Sequence, residues 1–181
     1  MYPSTSYITN IKLAEAKAEI AIDNFHRDDL LTIILIDPCT LNESELPMNR
    51  QEHIKTERKR LAYLGDALID AVLANYLFRL ERNLTTQEFD NYRQAVAGRP
   101  SLTLFAINLG LPDFSSSWNR KNRQLPIEEP GIWGEMFEAL VGAIFLDARR
   151  NFDTIDQWLC DWFLVEAVNE YEQTQSAPSH P

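Results

Sequence analysis

Leu61-Ala62-Tyr63-Leu64-Gly65-Asp66-Ala67, followed far downstream by Gly134-Glu135-Met136-Phe137-Glu138-Ala139-Leu140-Val141-Gly142, decides how this chain is read. Each stretch sets carboxylates inside an otherwise apolar helical run. A carboxylate among apolar neighbours is costly unless something pairs with it. Two such segments point to one shared acidic site. Glu135 and Glu138 are spaced i,i+3, so both project from one face of their helix. Asp66 is flanked by Leu64 and, two positions on, Leu68. Gly65 costs about 1 kcal/mol relative to Ala inside a helix, so it marks a close packing contact. If a second helix crosses at Gly65, the three carboxylates converge.

An oxygen-only donor set of that kind suits Mg²⁺ or Mn²⁺. Such an ion generates hydroxide from bound water and stabilises charge building on a phosphate. The residues alone leave another reading open. Glu135 and Glu138 would also suit the N-terminal turn of a helix facing solvent, where acids complement the dipole. Asp66 would then be a satisfied buried acid.

Working outward, the pattern is helical throughout. Ile11, Ala14, Ala18, Ala21, Ile22 and Phe25 fall near a 3.6-residue period, which predicts a helix over 11–25. Asp28 is the expected cap of a helix over Leu30–Ile36, stopped by Pro38. Asn42–Arg50 reads as a loop, and a long helix is expected from Ile54 to Leu80. Thr85 should cap a helix over Gln87–Ala97. Gly98 and Pro100 interrupt, and Ser101 opens a helix ending at Gly110 and Pro112. Asp113–Pro130 reads as a loop, with further helices over Ile132–Ala148 and Thr154–Tyr171. Residues 172–181 carry almost no apolar side chains and are expected to be a disordered tail. The expectation is an all-α bundle of about seven to nine helices in a single domain, residues 1–171.

Composition narrows the class. Two cysteines, Cys39 and Cys160, cannot build a disulfide framework or a zinc site alone, which fits a reducing compartment. No signal peptide is evident in Met1–Asn10, and apolar runs such as Leu30–Ile36 are too short for a bilayer. A cytoplasmic protein without membrane contact is expected. The net charge of −10 argues against a general nucleic-acid binder. Its placement softens the objection: Arg58, Lys59 and Arg60 precede the first motif, and Arg120, Lys121 and Arg123 precede the second. Each cluster could equally be a solvated helix end or loop.

The motifs resemble those of the ribonuclease III catalytic domain. Lys59-Arg60-Leu61-Ala62-Tyr63-Leu64-Gly65-Asp66-Ala67 is similar to the family's Glu-Arg-Leu-Glu-Phe-Leu-Gly-Asp-Ala. Residues Glu135 to Asp147 resemble its second segment, Asp-x-Phe-Glu-Ala-Leu-(Ile/Val)-Gly-Ala-(Ile/Tyr)-(Tyr/Phe)-Leu-Asp. Leu30 to Glu43 resembles the family's upstream segment, and Arg93–Leu102 with Leu109-Gly110-Leu111 its middle helices. The resemblance implies an endoribonuclease acting on double-stranded or structured RNA, with ribosomal RNA precursor the expected substrate class. It implies that Asp66 and Glu138 are catalytic, and that Asp66, Glu135 and Glu138 bind Mg²⁺, for which Mn²⁺ substitutes.

Some positions depart from the pattern. The fourth family acid falls on Ala62, the leading Glu on Lys59 and the upstream His on Asp37. The helper acid or amide falls near Arg99 or Pro100. The Mini-III branch also carries Ala at the position of Ala62 and is active. Its basic loop resembles the segment holding Arg120, Lys121 and Arg123, which implies RNA contact there. The family dimerises through the first signature helix, which implies a homodimer with Tyr63 and Leu64 at the interface, although Tyr63 could also pack in its own core. No double-stranded-RNA-binding domain is expected after the last helix, so an RNA-delivering protein partner is a possible source of affinity. The alternative is a catalytically degenerate RNA-binding or assembly module on the same fold.

Overall fold

A computed structural model describes residues 25–36, 46–115 and 131–176, together with Ala16, Lys17, Glu19, Leu41 and the backbone of Pro130. Asp37, Cys39, Arg120, Lys121 and Arg123, and most of the helix expected over 11–25, lie outside the described residues. Those that are described are helical or connecting, with no strand among them. The helices are α1 (Asp28–Leu35), α2 (Met48–Arg79), α3 (Thr86–Val96), α4 (Arg99–Asn108), α5 (Leu111–Phe114), α6 (Pro130–Asp147), α7 (Phe152–Leu159) and α8 (Val165–Ser176). A five-residue π-helical segment, Cys160–Leu164, joins α7 to α8.

α6 is the axis of the bundle. Trp133, Met136, Phe137, Ala139, Leu140, Val141, Ala143 and Ile144 are all buried. A helix that is apolar around its circumference has to be enclosed, and α2 and α4 supply most of the enclosure. α2 buries a stripe at helical spacing: Ile54, Arg58, Leu61, Gly65, Ile69 and Val72. By length and composition α2 could also cross a membrane, but this stripe is spent on the protein core. Phe105, Phe137, Trp158 and Phe163 form an aromatic cluster between α4, α6 and the α7–α8 region.

Local chemistry explains the boundaries. Thr85 and Glu88 form a reciprocal capping box that starts α3. Gly98 caps α4, with Pro100 in its first turn, where a missing N–H costs nothing. Gly110 takes φ 70°, a left-handed turn that glycine adopts without strain.

Four expectations need correction. Asp28 does not cap α1 but is its first residue. The N–H groups of His26 and Arg27 donate instead to Asp147 Oδ1 at 3.0 and 2.8 Å, so the end of α6 caps the start of α1. Met48–Arg50 are not loop: α2 begins one residue after Pro47, whose fixed φ suits that position. Leu111–Phe114 forms a short helix and buries Phe114. The tail expected to be disordered from residue 172 is helical through Ser176. Glu172 accepts from Tyr92 Oη at 2.9 Å and ion-pairs with Arg82, while Tyr171 packs edge-on against Tyr92 at 4.9 Å. These tertiary contacts hold a segment whose composition looks solvated.

Candidate active site

Two glycines set the geometry of the site. A methyl group added to Gly65 would collide with the backbone carbonyl of Glu138, and one added to Gly142 with that of Leu61. α2 and α6 therefore cross in backbone contact, as the mid-helix Gly65 suggested. The residue after Gly65 is Asp66, so the crossing brings Asp66 and Glu138 together, with Glu135 one turn earlier on α6. All three are half-buried.

The electrostatics of Glu138 report this crowding. Its carboxyl is pushed up to about 7, first by burial, then by the charges of Asp66 and Glu135, and least by Asp70; Arg99 opposes the rise. Both burial and like charge disfavour the ionised form. Glu138 thus carries an unmet demand for positive charge, which is the property of a cation site.

The neighbouring acids are partly neutralised by the protein. Arg58 Nε lies 3.5 Å from Glu135 Oε1. Arg58 itself is only 1% exposed. Its terminal nitrogens donate to the carbonyls of Ile34 (3.2 Å), Ile36 (2.6 Å) and Ile132 (3.4 Å). It therefore leaves the surface cluster expected with Lys59 and Arg60, and ties the C-terminal end of α1 to the start of α6. Asp70 is gripped by Arg93, whose Nε lies 2.7 and 2.8 Å from the two carboxylate oxygens, with a terminal nitrogen also at 2.7 Å. Arg99 packs over Gly131, where an added methyl would sit 3.2 Å from its guanidinium.

Among the described residues, no three His, Cys, Asp or Glu side chains converge tightly enough to enclose an ion as they stand. Asp66 and Glu138 nonetheless fit one. They are oxygen donors, they repel one another, and Mg²⁺ needs only one or two protein carboxylates because it keeps several waters. Glu135 adds its charge from beside Arg58. Ala62 is buried and offers no ligand.

Tyr63 is 82% exposed, so it does not pack in its own core. Ala67, Ala71, Ala74 and Phe78 continue the same exposed stripe along α2, and Leu64 beside it is half-buried.

Sequence reasoning missed Arg58 and Arg93 as parts of this site, and named Arg99 only as a departure at the family's helper position. For Arg58 the signal was available: it falls in step with Ile54, Leu61 and Gly65 on the inward stripe. Arg93 and Arg99 reach the site only through the packing of α3 and α4.

Comparison with known proteins bears on this site. The Ribonuclease III domain family matches residues 59–149, a span that includes Asp66, Glu135 and Glu138. Ribonuclease 3 of Oceanobacillus iheyensis is 32% identical over 125 residues, covering 69% of this chain and 54% of that protein. Ribonuclease 3 of Staphylococcus aureus is 30% identical over 104 residues, covering 58% of this chain and 41% of that protein. The chain thus spans about half the length of these relatives. The nuclease domain of ribonuclease III from Campylobacter jejuni superposes with a TM-score of 0.62 at 22% identity, covering 86% of this chain and 96% of that one. That likeness is one of fold.

Proposed function

We propose that this chain, which belongs to the ribonuclease III family, is a metal-dependent endoribonuclease. Its substrate is double-stranded or structured RNA, with ribosomal RNA precursor the substrate class and the cytoplasm the place of action. The observation that carries the reading is the glycine-mediated crossing that seats Asp66 beside Glu138.

Asp66 and Glu138 would hold Mg²⁺, for which Mn²⁺ substitutes. When bound, the ion supplies an activated water and charge for the phosphate under attack. The chain's own residues do the rest. Burial and the charges of Asp66 and Glu135 push the Glu138 carboxyl up to about 7, so it takes on its full charge only above that. Arg58 holds Glu135 beside the pair, and Arg93 keeps Asp70 from competing with it. Hydrolysis leaves a 5′-phosphate and a 3′-hydroxyl. RNA contact is assigned to Arg120, Lys121 and Arg123.

The exposed stripe of Tyr63, Ala67, Ala71, Ala74 and Phe78 supports a homodimer, in which two acidic sites would face one duplex. The Campylobacter jejuni nuclease domain also has a region involved in dimer formation. A catalytically degenerate RNA-binding or assembly module is the second reading. The burial of Ala62 at a family acid position and the engagement of Glu135 by Arg58 favour it.

The deciding experiment is cleavage of a labelled RNA duplex at low salt with Mg²⁺ or Mn²⁺, beside Asp66→Asn and Glu138→Gln. Cutting that requires the ion and disappears in both variants supports the endonuclease. A folded protein that leaves duplex and ribosomal precursor intact at high concentration overturns it in favour of the degenerate module.

A further inference from the structure

The α4 and α8 side of the bundle carries a surface hollow of about 230 Å³, with Phe105 and Phe163 in its lining. Both rings pack on Phe137, the residue before Glu138, so the aromatic core separates this hollow from the acidic site. A second, more open hollow of about 480 Å³ continues along α8 and shares Trp162, Glu166 and Glu170 with the first.

Three large apolar side chains stand exposed here: Leu104, Trp162 and Val165. Trp162 is 48% exposed although its neighbours Phe163 and Leu164 are buried. It lies within the π-helical segment Cys160–Leu164. A π-turn inserts an extra residue into a helix and frequently occurs at functional positions. Here it accompanies an outward tryptophan, the residue type most enriched among the anchors of protein interfaces.

The rim supplies the second observation. Glu19, Asp161, Glu166 and Glu170 line the two hollows, and among the described residues no lysine, arginine or histidine does. A four-carboxylate rim repels nucleic acid and anionic lipid and attracts cationic protein segments. Apolar floor with acidic edge is the complement of an amphipathic basic helix laid into a groove.

We propose that this face docks a lysine- or arginine-rich amphipathic segment of a partner protein. The segment's apolar anchor sits between Leu104 and Trp162, and its cations meet Glu166 and Glu170. This face shares no residue with the acidic site, so its docking is independent of RNA cleavage.

The test is fluorescence anisotropy of a labelled basic amphipathic peptide against the full chain. A scrambled peptide of identical composition and a charge-reversed peptide serve as controls. The amphipathic peptide should bind more tightly than either control and weaken with salt. Trp162→Ala and, separately, the pair Glu166→Lys and Glu170→Lys should each weaken it at least about tenfold. Thermal melts confirm that these variants fold, and cleavage of duplex RNA should match the parent. No binding, equal binding of the scrambled peptide, or binding indifferent to both variants overturns the proposal. Self-association of the free chain that Trp162→Ala abolishes overturns it too, because the occupant is then a second copy.

Discussion

Glu138→Gln should make the ion-free protein more stable at pH 8 while destroying its response to Mg²⁺. The substitution keeps the side chain's size and removes its charge. Glu138 titrates near 7 in the folded chain against an ordinary 4.5. At about 1.36 kcal/mol per pH unit, the upper bound on the penalty is about 3.4 kcal/mol. The carboxyl is half-exposed, so solvent screening reduces this to about 1–2 kcal/mol. For a chain of this size that corresponds to about 2–8 °C in melting temperature.

The sign follows from proton linkage. Below pH 4.5 the carboxyl is protonated in both folded and unfolded chains, and no penalty exists. Between 4.5 and 7 the folded chain retains a proton that the unfolded chain releases, so stability falls as pH rises. Above 7 the penalty is complete. The gain from Glu138→Gln should therefore be near zero at pH 4.5 and full at pH 8. Thermal melts in chelator across that range measure it. Added Mg²⁺ should then raise the parent's melting temperature at pH 8 and leave the variant unmoved, since only a ligand bound to the folded state stabilises it. A variant no more stable than the parent at pH 8, or a gain of equal size at pH 4.5, would refute the argument that Glu138 is held against burial and like charge.

Gly65→Ala should cost about 3 kcal/mol in a urea titration, because the added methyl meets the Glu138 backbone rather than a side chain that can move; a loss below about 1 kcal/mol means the helices are not in backbone contact. Arg58→Leu should cost about 2–4 kcal/mol by leaving the Ile34, Ile36 and Ile132 carbonyls without their donor. Arg58→Lys should recover only part of that loss, since one ammonium cannot reproduce the guanidinium fork. Glu172→Gln should cost less than about 1 kcal/mol, as its ion pair with Arg82 is solvent-exposed. Its carboxyl is held low chiefly by the hydrogen bond from Arg82, so its contribution is present above the ordinary carboxylate range and fades as pH falls through it. Hydrogen exchange at residues 172–176 reads the same change locally. Tyr63→Arg should convert a dimer to monomers in sedimentation velocity without shifting the monomer's far-ultraviolet dichroism.

What was legible in the sequence was what local chemistry decides. Gly65 announced a helix crossing, Thr85 announced a cap, and Gly98 with Pro100 announced a break, since each acts through local chemistry; the partner of Thr85, Glu88, came only with the structure. The misreadings share the opposite character. Residues 172–176 look solvated, yet they are helical because Arg82 and Tyr92 wait for Glu172 from elsewhere in the chain. The N-terminus of α1 is capped by Asp147, more than a hundred residues away, so Asp28 was credited with work done by α6. Arg58 was counted as surface charge by residue type, although its place on the inward stripe of α2 assigned it to the core.

The same distinction bears on which acids matter. Four carboxylates meet near the α2–α6 crossing: Asp66, Asp70, Glu135 and Glu138. Three arginines approach them, and the sequence alone cannot say how they are shared. In the folded chain the sharing is uneven. Asp70 has Arg93 and Glu135 has Arg58, both at contact distance. Among the described residues, Glu138 has the longer-range influence of Arg99, and Asp66 adds to its burden. Stability alone would favour balancing all four charges. The residual imbalance sits on Glu138, at the glycine crossing, while Asp66 shares the charge of Arg93. A half-buried carboxylate held against burial and like charge carries a stability cost of the kind commonly found at functional sites. Glu138, with Asp66 beside it, rather than the whole acidic cluster, is therefore the part of this surface that calls for a cation.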